Sequence, residues 1–308
     1  MNILLIVDGN GLMHRAYHAL PPFKTKGGIP TNIVYGFFSL LHKAIVDYRP
    51  THVLICFDTP APTFRNEIHK EYQSQRPQIA DDFISQIALV KDLLDKAPLI
   101  HRELDGYEGD DIIGTDTKCA EKEGFRLLIL TGDKDMMQLV NDTTSTVTPE
   151  IGFSKAHIYT PTSVITKMGV PPNQIADFKA LAGDPSDNYK GADGIGPKTA
   201  QKLLAEFGTV EQLLKKASTL PEGRIKKSII EHTDDIKIGK RLATILTNAP
   251  IELKLSETQW NGFSDSFKQR MLEFEMYSLV ARFFPRPKKA VEVKKKISED
   301  NKDQIRMF

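Results

Sequence analysis

Three carboxylates fall within four positions in Gly106-Tyr107-Glu108-Gly109-Asp110-Asp111, and Ile112, Ile113 and Gly114 continue the stretch as a helix. Residues three apart share a helical face. Glu108 and Asp111 therefore point the same way, with Asp110 beside them. Like charges this close repel, and a fold tolerates them where a cation answers. The plain alternative is an acidic helix N-terminus, which the helix dipole favours. Further carboxylates shift the balance: Asp8, Asp58, Asp133, Asp135, Asp184 and Asp187. The whole set suits hard divalent ions with oxygen ligands, Mg²⁺ or Mn²⁺. It exceeds what one octahedral ion needs, which points to two. Two metals about 4 Å apart suit in-line attack on a phosphodiester.

The elements that must position these groups are legible. Ile3–Val7, His52–Phe57 and Leu127–Thr131 are short, continuous apolar runs, the pattern of strands buried on both faces in a parallel sheet. Each runs into aspartate: Asp8, Asp58, and Asp133 with Asp135. A single such aspartate is commonly a turn or cap residue. The same ending three times places a shared cation site at the carboxyl edge of an α/β sheet, where ligands sit. Helical patterns cover Leu12–His18, residues 31–47 and Asp81–Lys96, the last with Phe83, Ile84, Ile87, Leu89, Val90 and Leu93 as its buried face.

Between Asp58 and Glu108 lies a charged, polar segment holding Arg65, Lys70, Tyr72, Gln73 and Arg76. It reads either as a solvated connection or as a mobile cover over the sheet edge that carries cations to phosphate. After residue 160 helical periodicity dominates to about residue 285. Gly183-Asp184-Pro185-Ser186-Asp187-Asn188 supplies two aspartates, and Gly194-Ile195-Gly196-Pro197-Lys198-Thr199-Ala200 follows. Glycines before Lys-Thr raise a P-loop, but Pro197 interrupts the pattern and no buried strand leads in. A Gly-Ile-Gly turn opening a helix instead offers backbone amides to a nucleic-acid phosphate.

The chain has 308 residues and a formal net charge of +1, so overall charge names no partner. Cys56 and Cys119 sit far apart in apolar or helical settings, which fits a reducing compartment and no zinc site. No apolar run reaches membrane-spanning length, and the N-terminus lacks signal-peptide character. A cytoplasmic monomer with no membrane partner is the expectation. The chain divides into an α/β core over 1–160 with an arch at about 65–100, a helical DNA-binding region over 161–285, and a basic, disordered tail over 286–308.

Val7-Asp8-Gly9, Phe57-Asp58, Gly106 to Asp111, Thr131-Gly132-Asp133-Lys134-Asp135, Gly183 to Asn188 and the Gly-Ile-Gly turn, in this order, resemble the 5′ nuclease family: the 5′→3′ exonuclease domain of bacterial DNA polymerase I and the flap endonucleases. The resemblance covers about residues 1–285. It implies a mostly parallel sheet with flanking helices, a helical arch and a C-terminal helix–turn–helix. It implies cleavage at the junction of a 5′ single strand with duplex DNA, including RNA primer–DNA junctions, in Okazaki-fragment maturation and repair. By the family pattern Asp8, Asp58, Glu108, Asp110 and Asp111 lie around one metal, and Asp133, Asp135, Asp184 and Asp187 around the other. Arg15, Tyr72, Gln73, Gly194, Ile195, Gly196, Lys198, Thr199 and Lys202 become DNA contacts, and K⁺ can bind at the turn. The family usually has Tyr-Lys in the arch where this chain has Tyr72-Gln73. Lys70, on the same face if the segment is helical, and Arg76 are expected to take the catalytic, phosphate-steering role.

Two other readings compete. A PIN-type ribonuclease shares the acidic sheet edge but lacks the arch and the Gly-Ile-Gly turn. A DNA-binding relative without catalysis would not keep the full carboxylate set. The sequence stops without a polymerase region, so it reads as a stand-alone nuclease or an excised domain, and the basic tail favours the former. Gln304, Ile305, Met307 and Phe308 resemble the short peptide by which bacterial replication proteins bind the sliding clamp.

Overall fold

The computed structural model describes residues 2–150 and 156–285. Strands β1 (Ile3–Asp8), β2 (His52–Cys56), β3 (Ile100–Arg102), β4 (Arg126–Leu130), β5 (Thr144–Pro149) and β6 (Ala156–Tyr159) form one six-stranded sheet. Their order is β3-β2-β1-β4-β5-β6, parallel throughout except for the antiparallel β5–β6 pair. The chain builds outward from β1 to one side, then returns to place β4 on the other. The strand order therefore reverses beside β1, and such a switch point opens a crevice at the carboxyl ends of the strands. Asp8 ends β1, and Asp133 follows β4, on either side of it.

Side chains alternate across β1 as strand geometry requires. Leu5 and Val7 enter one apolar core, Leu4 and Ile6 the other. The first core is covered by α1 (Gly9–Ala19), α2 (Asn32–Tyr48) and, beyond the short α3 (Phe64–Ile68), α4 (Asp81–Lys96). The second is covered by α5 (Gly109–Lys122), through Ile112 and Ile113. Helices α6 (Pro161–Met168), α7 (Ile175–Ala182), α8 (Pro197–Phe207), α9 (Val210–Lys215), α10 (Arg224–Glu231) and α11 (Thr233–Ala243) surround a third core, with Ile195, Leu204 and Ile236 at its centre. Helices α12 (Asp265–Glu273) and α13 (Tyr277–Phe283) return to the sheet, where Phe267 lies 5.2 Å from Phe38 between ring centres.

Two boundaries differ from the sequence expectation. The arch does not reach residue 100, because α4 is a core helix: Phe83, Val90 and Leu93 are buried, and buried Gln86 accepts the Ile33 N–H at 2.9 Å. Ile84, expected on the buried face, is 51% exposed. The region 161–285 is not one unit, since α12 and α13 pack on the α/β core. Their apolar residues carry no marker of which core they join, so periodicity alone could not assign them. The tail 286–308, including Gln304, Ile305, Met307 and Phe308, lies outside the described residues.

Candidate metal centre and nucleic-acid interface

The carboxylates gather at the carboxyl edge of the sheet in two groups. In the first, Asp8 accepts the Gly11 N–H at 2.7 Å and the Thr131 hydroxyl at 2.7 Å. A Cβ on Gly11 would lie 2.1 Å from an Asp8 oxygen, so only glycine permits this approach. Asp58 accepts the Gly109 N–H at 2.6 Å, which fixes the start of α5 against the end of β2. Burial pushes Asp8 up to about 6, with Asp58 and Asp133 adding to the rise. Burial and the neighbouring Asp133, Asp8 and Asp58 push Asp110 well above the ordinary carboxylate range. Glu108 rises to about 7 through burial, although Arg65 pulls it down.

Asp135, Asp184 and Asp187 form the second group, each offering an oxygen within 4.8 Å of the others. Lys179, on α7, bridges Asp135 and Asp184. Asp133 acts on Asp8, Asp110 and Asp135 alike, and Asp187 acts on Glu108. The two groups therefore lie close enough for their charges to be felt across the edge. A cavity of about 430 Å³ opens over the second, lined by Arg76, Asp133, Asp135, Lys179, Asp184 and Asp187.

Asp111 does not join either group. Helix α5 begins at Gly109, with Glu108 as its N-cap, so Asp111 enters one turn later and is fully buried. Arg65 donates to both its oxygens at 2.7 and 2.9 Å, and Leu246 N–H donates at 2.9 Å. Those bonds take up the carboxylate, which corrects its expected place around a metal. Glu108 and Asp111 form a capping box, with the Asp111 carboxylate accepting the Glu108 N–H at 3.2 Å, so the two lie together as expected and share Arg65.

The arch segment is short and not helical beyond Ile68; residues 70–76 run in turns. The premise that put Lys70 and position 73 on one helical face is thus removed. Lys70 is exposed, and Arg76 donates to Asp187 at 2.7 Å. Tyr72, expected to touch DNA, is 5% exposed and packs with Tyr189 and Leu242. Gln73 has φ 55 and donates its N–H to the Asp187 carbonyl at 3.1 Å.

At the turn, Gly194 has φ +75 and Gly196 caps α8, where Pro197 begins the helix. Ile195 is 4% exposed, so its side chain anchors the turn in the third core and cannot itself contact DNA. Lys198 and Lys202 are exposed four residues apart on one face of α8, and Thr199 is half-buried beside them. Arg15 is half-buried on α1, and its Nε finds no partner among the described residues.

A 5′-3′ exonuclease N-terminal resolvase-like domain matches residues 3–169, and a 5′-3′ exonuclease C-terminal SAM fold matches residues 170–266. The chain belongs to the 5′-3′ exonuclease family. It is 42% identical over 261 residues to DNA polymerase I of Bacillus subtilis, covering 85% of this chain and 30% of that protein. To thermostable DNA polymerase I of Thermus aquaticus it is 41% identical over 254 residues, 82% of this chain and 30% of that one. The chain thus spans about 30% of the length of these relatives. The T5 5′-exonuclease with bound zinc superposes with a TM-score of 0.66 at 22% identity, over 79% of this chain and 89% of that one. The catalytic core of Rad2 in complex with DNA superposes with a TM-score of 0.58 at 14% identity, over 93% and 92%. At these identities the two structures establish a shared fold.

In this 5′-3′ exonuclease fold, three residues near the carboxylates escaped the sequence reading. Lys179 has only its position five residues before Asp184 as a signal. Arg65 sat in a segment read as solvated, yet it is 2% exposed and also donates to the Leu242 and Thr244 carbonyls at 2.9 Å each. His14 is exposed on α1, its ring centre 4.5 Å from Phe83 and near enough to Asp58 and Arg76 to feel both charges. Partial desolvation of the ring against its neighbours holds its imidazole below the usual range, with His18 and Arg76 adding to that. Among the described residues no helix is long and apolar enough to cross a membrane.

Proposed function

We propose that the chain is a structure-specific 5′ nuclease that hydrolyses phosphodiesters where a 5′ single strand joins duplex DNA. One observation carries the reading. Two carboxylate groups lie close together at a sheet switch point, beneath a cation-bearing arch. The donor set is all carboxylate oxygen, which fits Mg²⁺ or Mn²⁺ rather than a thiolate- or imidazole-seeking metal. Asp8, Asp58, Glu108 and Asp110 would hold one ion, and Asp133, Asp135, Asp184 and Asp187 the other, some through water. When bound, such ions activate water and neutralise charge on the phosphate and the leaving oxygen. Arg65 keeps Asp111 out of the set and holds α5 in place. Arg76 and Lys70 steer the phosphate, and Arg15 and Gln73 line the path of the strand. The Gly194 and Gly196 amides, Thr199, Lys198 and Lys202 hold the duplex backbone without reading sequence, while the Ile195 N–H closes the turn on the Ala192 carbonyl. The same turn offers carbonyls to K⁺. The setting is the cytoplasm, on flaps and RNA primers left by replication and repair, and the protein acts as a monomer.

The test is incubation with Mg²⁺ and, separately, a labelled 5′-flap DNA, a linear duplex and a single-stranded RNA. Cleavage near the flap junction supports the reading. Cleavage confined to the RNA would make it a PIN-type ribonuclease, and flap binding without cleavage a non-catalytic relative. Duplex binding is checked separately: Lys198→Ala with Lys202→Ala should flatten the salt dependence by roughly one unit for each phosphate no longer neutralised. The ending Gln304, Ile305, Met307 and Phe308 is proposed to dock on a sliding clamp. Titration of a tail peptide with the cognate clamp tests this, and absence of binding removes it without touching the nuclease reading.

A further inference from the structure

Asn188 closes the Gly183–Asn188 motif, yet it is not one of its carboxylates. It is half-buried and left-handed, with φ 59. Its Nδ2 donates to the Glu71 carbonyl at 2.8 Å and to the Ser74 hydroxyl at 3.1 Å. Its own carbonyl accepts from His69 Nε2 at 3.1 Å. One side chain and one peptide group thus hold three residues of the arch segment.

The arch side is shaped to receive them. Gln73 is also left-handed, with φ 55, and its N–H is held by the carbonyl of Asp187. A non-glycine residue in this region is unfavourable and persists only where its surroundings over-determine it. Here two such residues sit on two turns that hydrogen bonds join in both directions, from Gln73 to Asp187 and from Asn188 to Glu71 and Ser74. Tyr72 is buried beside them against Tyr189, the residue after Asn188.

We propose that Asn188 is a positioning residue that docks the arch onto the second carboxylate group. It sets the height of Arg76 over Asp184 and Asp187, and hence where a threaded phosphate meets the site. The docking stands on the hydrogen bonds alone; its effect on cleavage rests on the nuclease reading. The competing explanation is that asparagine is present only because it tolerates the left-handed conformation. Glycine tolerates it better still, but it carries no amide for Glu71 and Ser74.

That difference defines the experiment, made on the full chain. Asn188→Gly keeps the turn and deletes the Nδ2 hydrogen bonds; Asn188→Asp keeps the shape and sets an oxygen against the Glu71 carbonyl. Hydrogen–deuterium exchange over residues 69–76 should quicken by about fivefold in both, the order expected from losing one or two hydrogen bonds. Exchange in β1 and β4 should stay unchanged. Mn²⁺ affinity of Asn188→Gly, read by calorimetry, should stay within about twofold. Single-turnover flap cleavage at subsaturating substrate should fall about tenfold, the lower end for removal of a supporting group. Should Asn188→Gly disturb the fold throughout, His69→Ala with Ser74→Ala cuts the same ties from the arch side and should quicken the same exchange. Wild-type exchange over 69–76 in all these variants overturns the docking role, whatever happens to cleavage. Faster exchange in a protein whose wild type cleaves no flap leaves the docking intact and overturns the nuclease reading instead.

Discussion

The two carboxylate groups answer the same problem differently. In the first, Asp8, Asp58 and Asp110 crowd around two strand ends and the start of α5, and burial and neighbouring carboxylates push them upward. Arg65 reaches Glu108 at 3.4 Å, but its short bonds go to Asp111. In the second, Lys179 bridges Asp135 and Asp184, and Arg76 pairs with Asp187. Lys179 holds Asp184 below the ordinary carboxylate range, against its burial. The first group is therefore short of positive charge without an added cation, whereas the second carries its own. One is built on rigid strand ends, the other on a turn and a helix that also meet the arch.

The sharpest way to break that contrast is to remove one carboxylate from each side. Asp110→Asn and Asp184→Asn should both lower flap cleavage by more than the roughly 10–100-fold seen when only a supporting residue is removed. Their metal-free stabilities should diverge. Asp110→Asn relieves repulsion and should unfold at higher temperature in EDTA. Asp184→Asn strips Lys179 of a partner and should unfold at lower temperature. Calorimetry of both variants in EDTA decides, and shifts of the same sign would make the two groups electrostatically alike.

Asp111 marks the border of the comparison. It sits beside the first group in sequence but is neutralised internally, as the second group is. Arg65→Met should destabilise the protein by about 3–5 kcal/mol, because a buried carboxylate is left without its cation. Arg65→Met with Asp111→Leu should recover most of that loss. Urea unfolding measures both, and a double variant no better than the single would show that Arg65 serves the Leu242 and Thr244 carbonyls more than Asp111.

These distinctions were only partly readable in the sequence. The strand endings placed Asp8, Asp58 and Asp133 on one sheet edge because an apolar run into aspartate is a local pattern with a global consequence in a parallel sheet. The closeness of the two groups depends on strand order and on the return of α7, which no local pattern encodes. Asp111 was grouped with the metal carboxylates because nothing local shows that Arg65, 46 positions away in sequence, takes up both its oxygens. Arg65 and Lys179 were missed because a buried cation and a solvated one look the same in sequence. Tyr72 was assigned to DNA, but its ring is used in packing.

The pH dependence spans both groups, since burial raises Asp135 in the second as well as Asp8 and Glu108 in the first. Asp8, Glu108 and Asp135 hold protons in the folded state to about pH 6, 7 and 6, above their ordinary values. Between pH 4 and 7 the folded state therefore binds more protons than the unfolded one. Stability from these groups is greatest at the acid end and is lost as pH rises through the folded values. A pKa unit is worth about 1.4 kcal/mol, and because these groups interact they titrate together. In EDTA the protein should lose on the order of 2–3 kcal/mol between pH 5 and pH 8. Millimolar Mg²⁺ should abolish most of the loss, since it binds the deprotonated form. A metal-free stability that rises over this range would contradict the crowding of the first group.

The smallest expected effect tests whether the second group is neutralised from within. Lys179 is 14% exposed and has carboxylate partners on two different segments, Asp135 after β4 and Asp184 after α7. Its ammonium is held charged by both, against the cost of burial. Lys179→Met keeps much of the side-chain volume and removes the charge, so Asp135 and Asp184 face each other as Asp8 and Asp58 do. Metal-free stability at pH 8 should fall by about 1–3 kcal/mol, the cost of leaving a charged hydrogen-bonding group without its partner. The loss should shrink at pH 5, where the raised carboxylates accept protons, and in Mg²⁺, where an ion takes the ammonium's place. The variant would then resemble the first group in both dependences, which a role confined to packing cannot produce. Equal destabilisation at pH 5 and pH 8, in EDTA and in Mg²⁺ alike, would reduce Lys179 to its methylenes and erase the difference between the two groups.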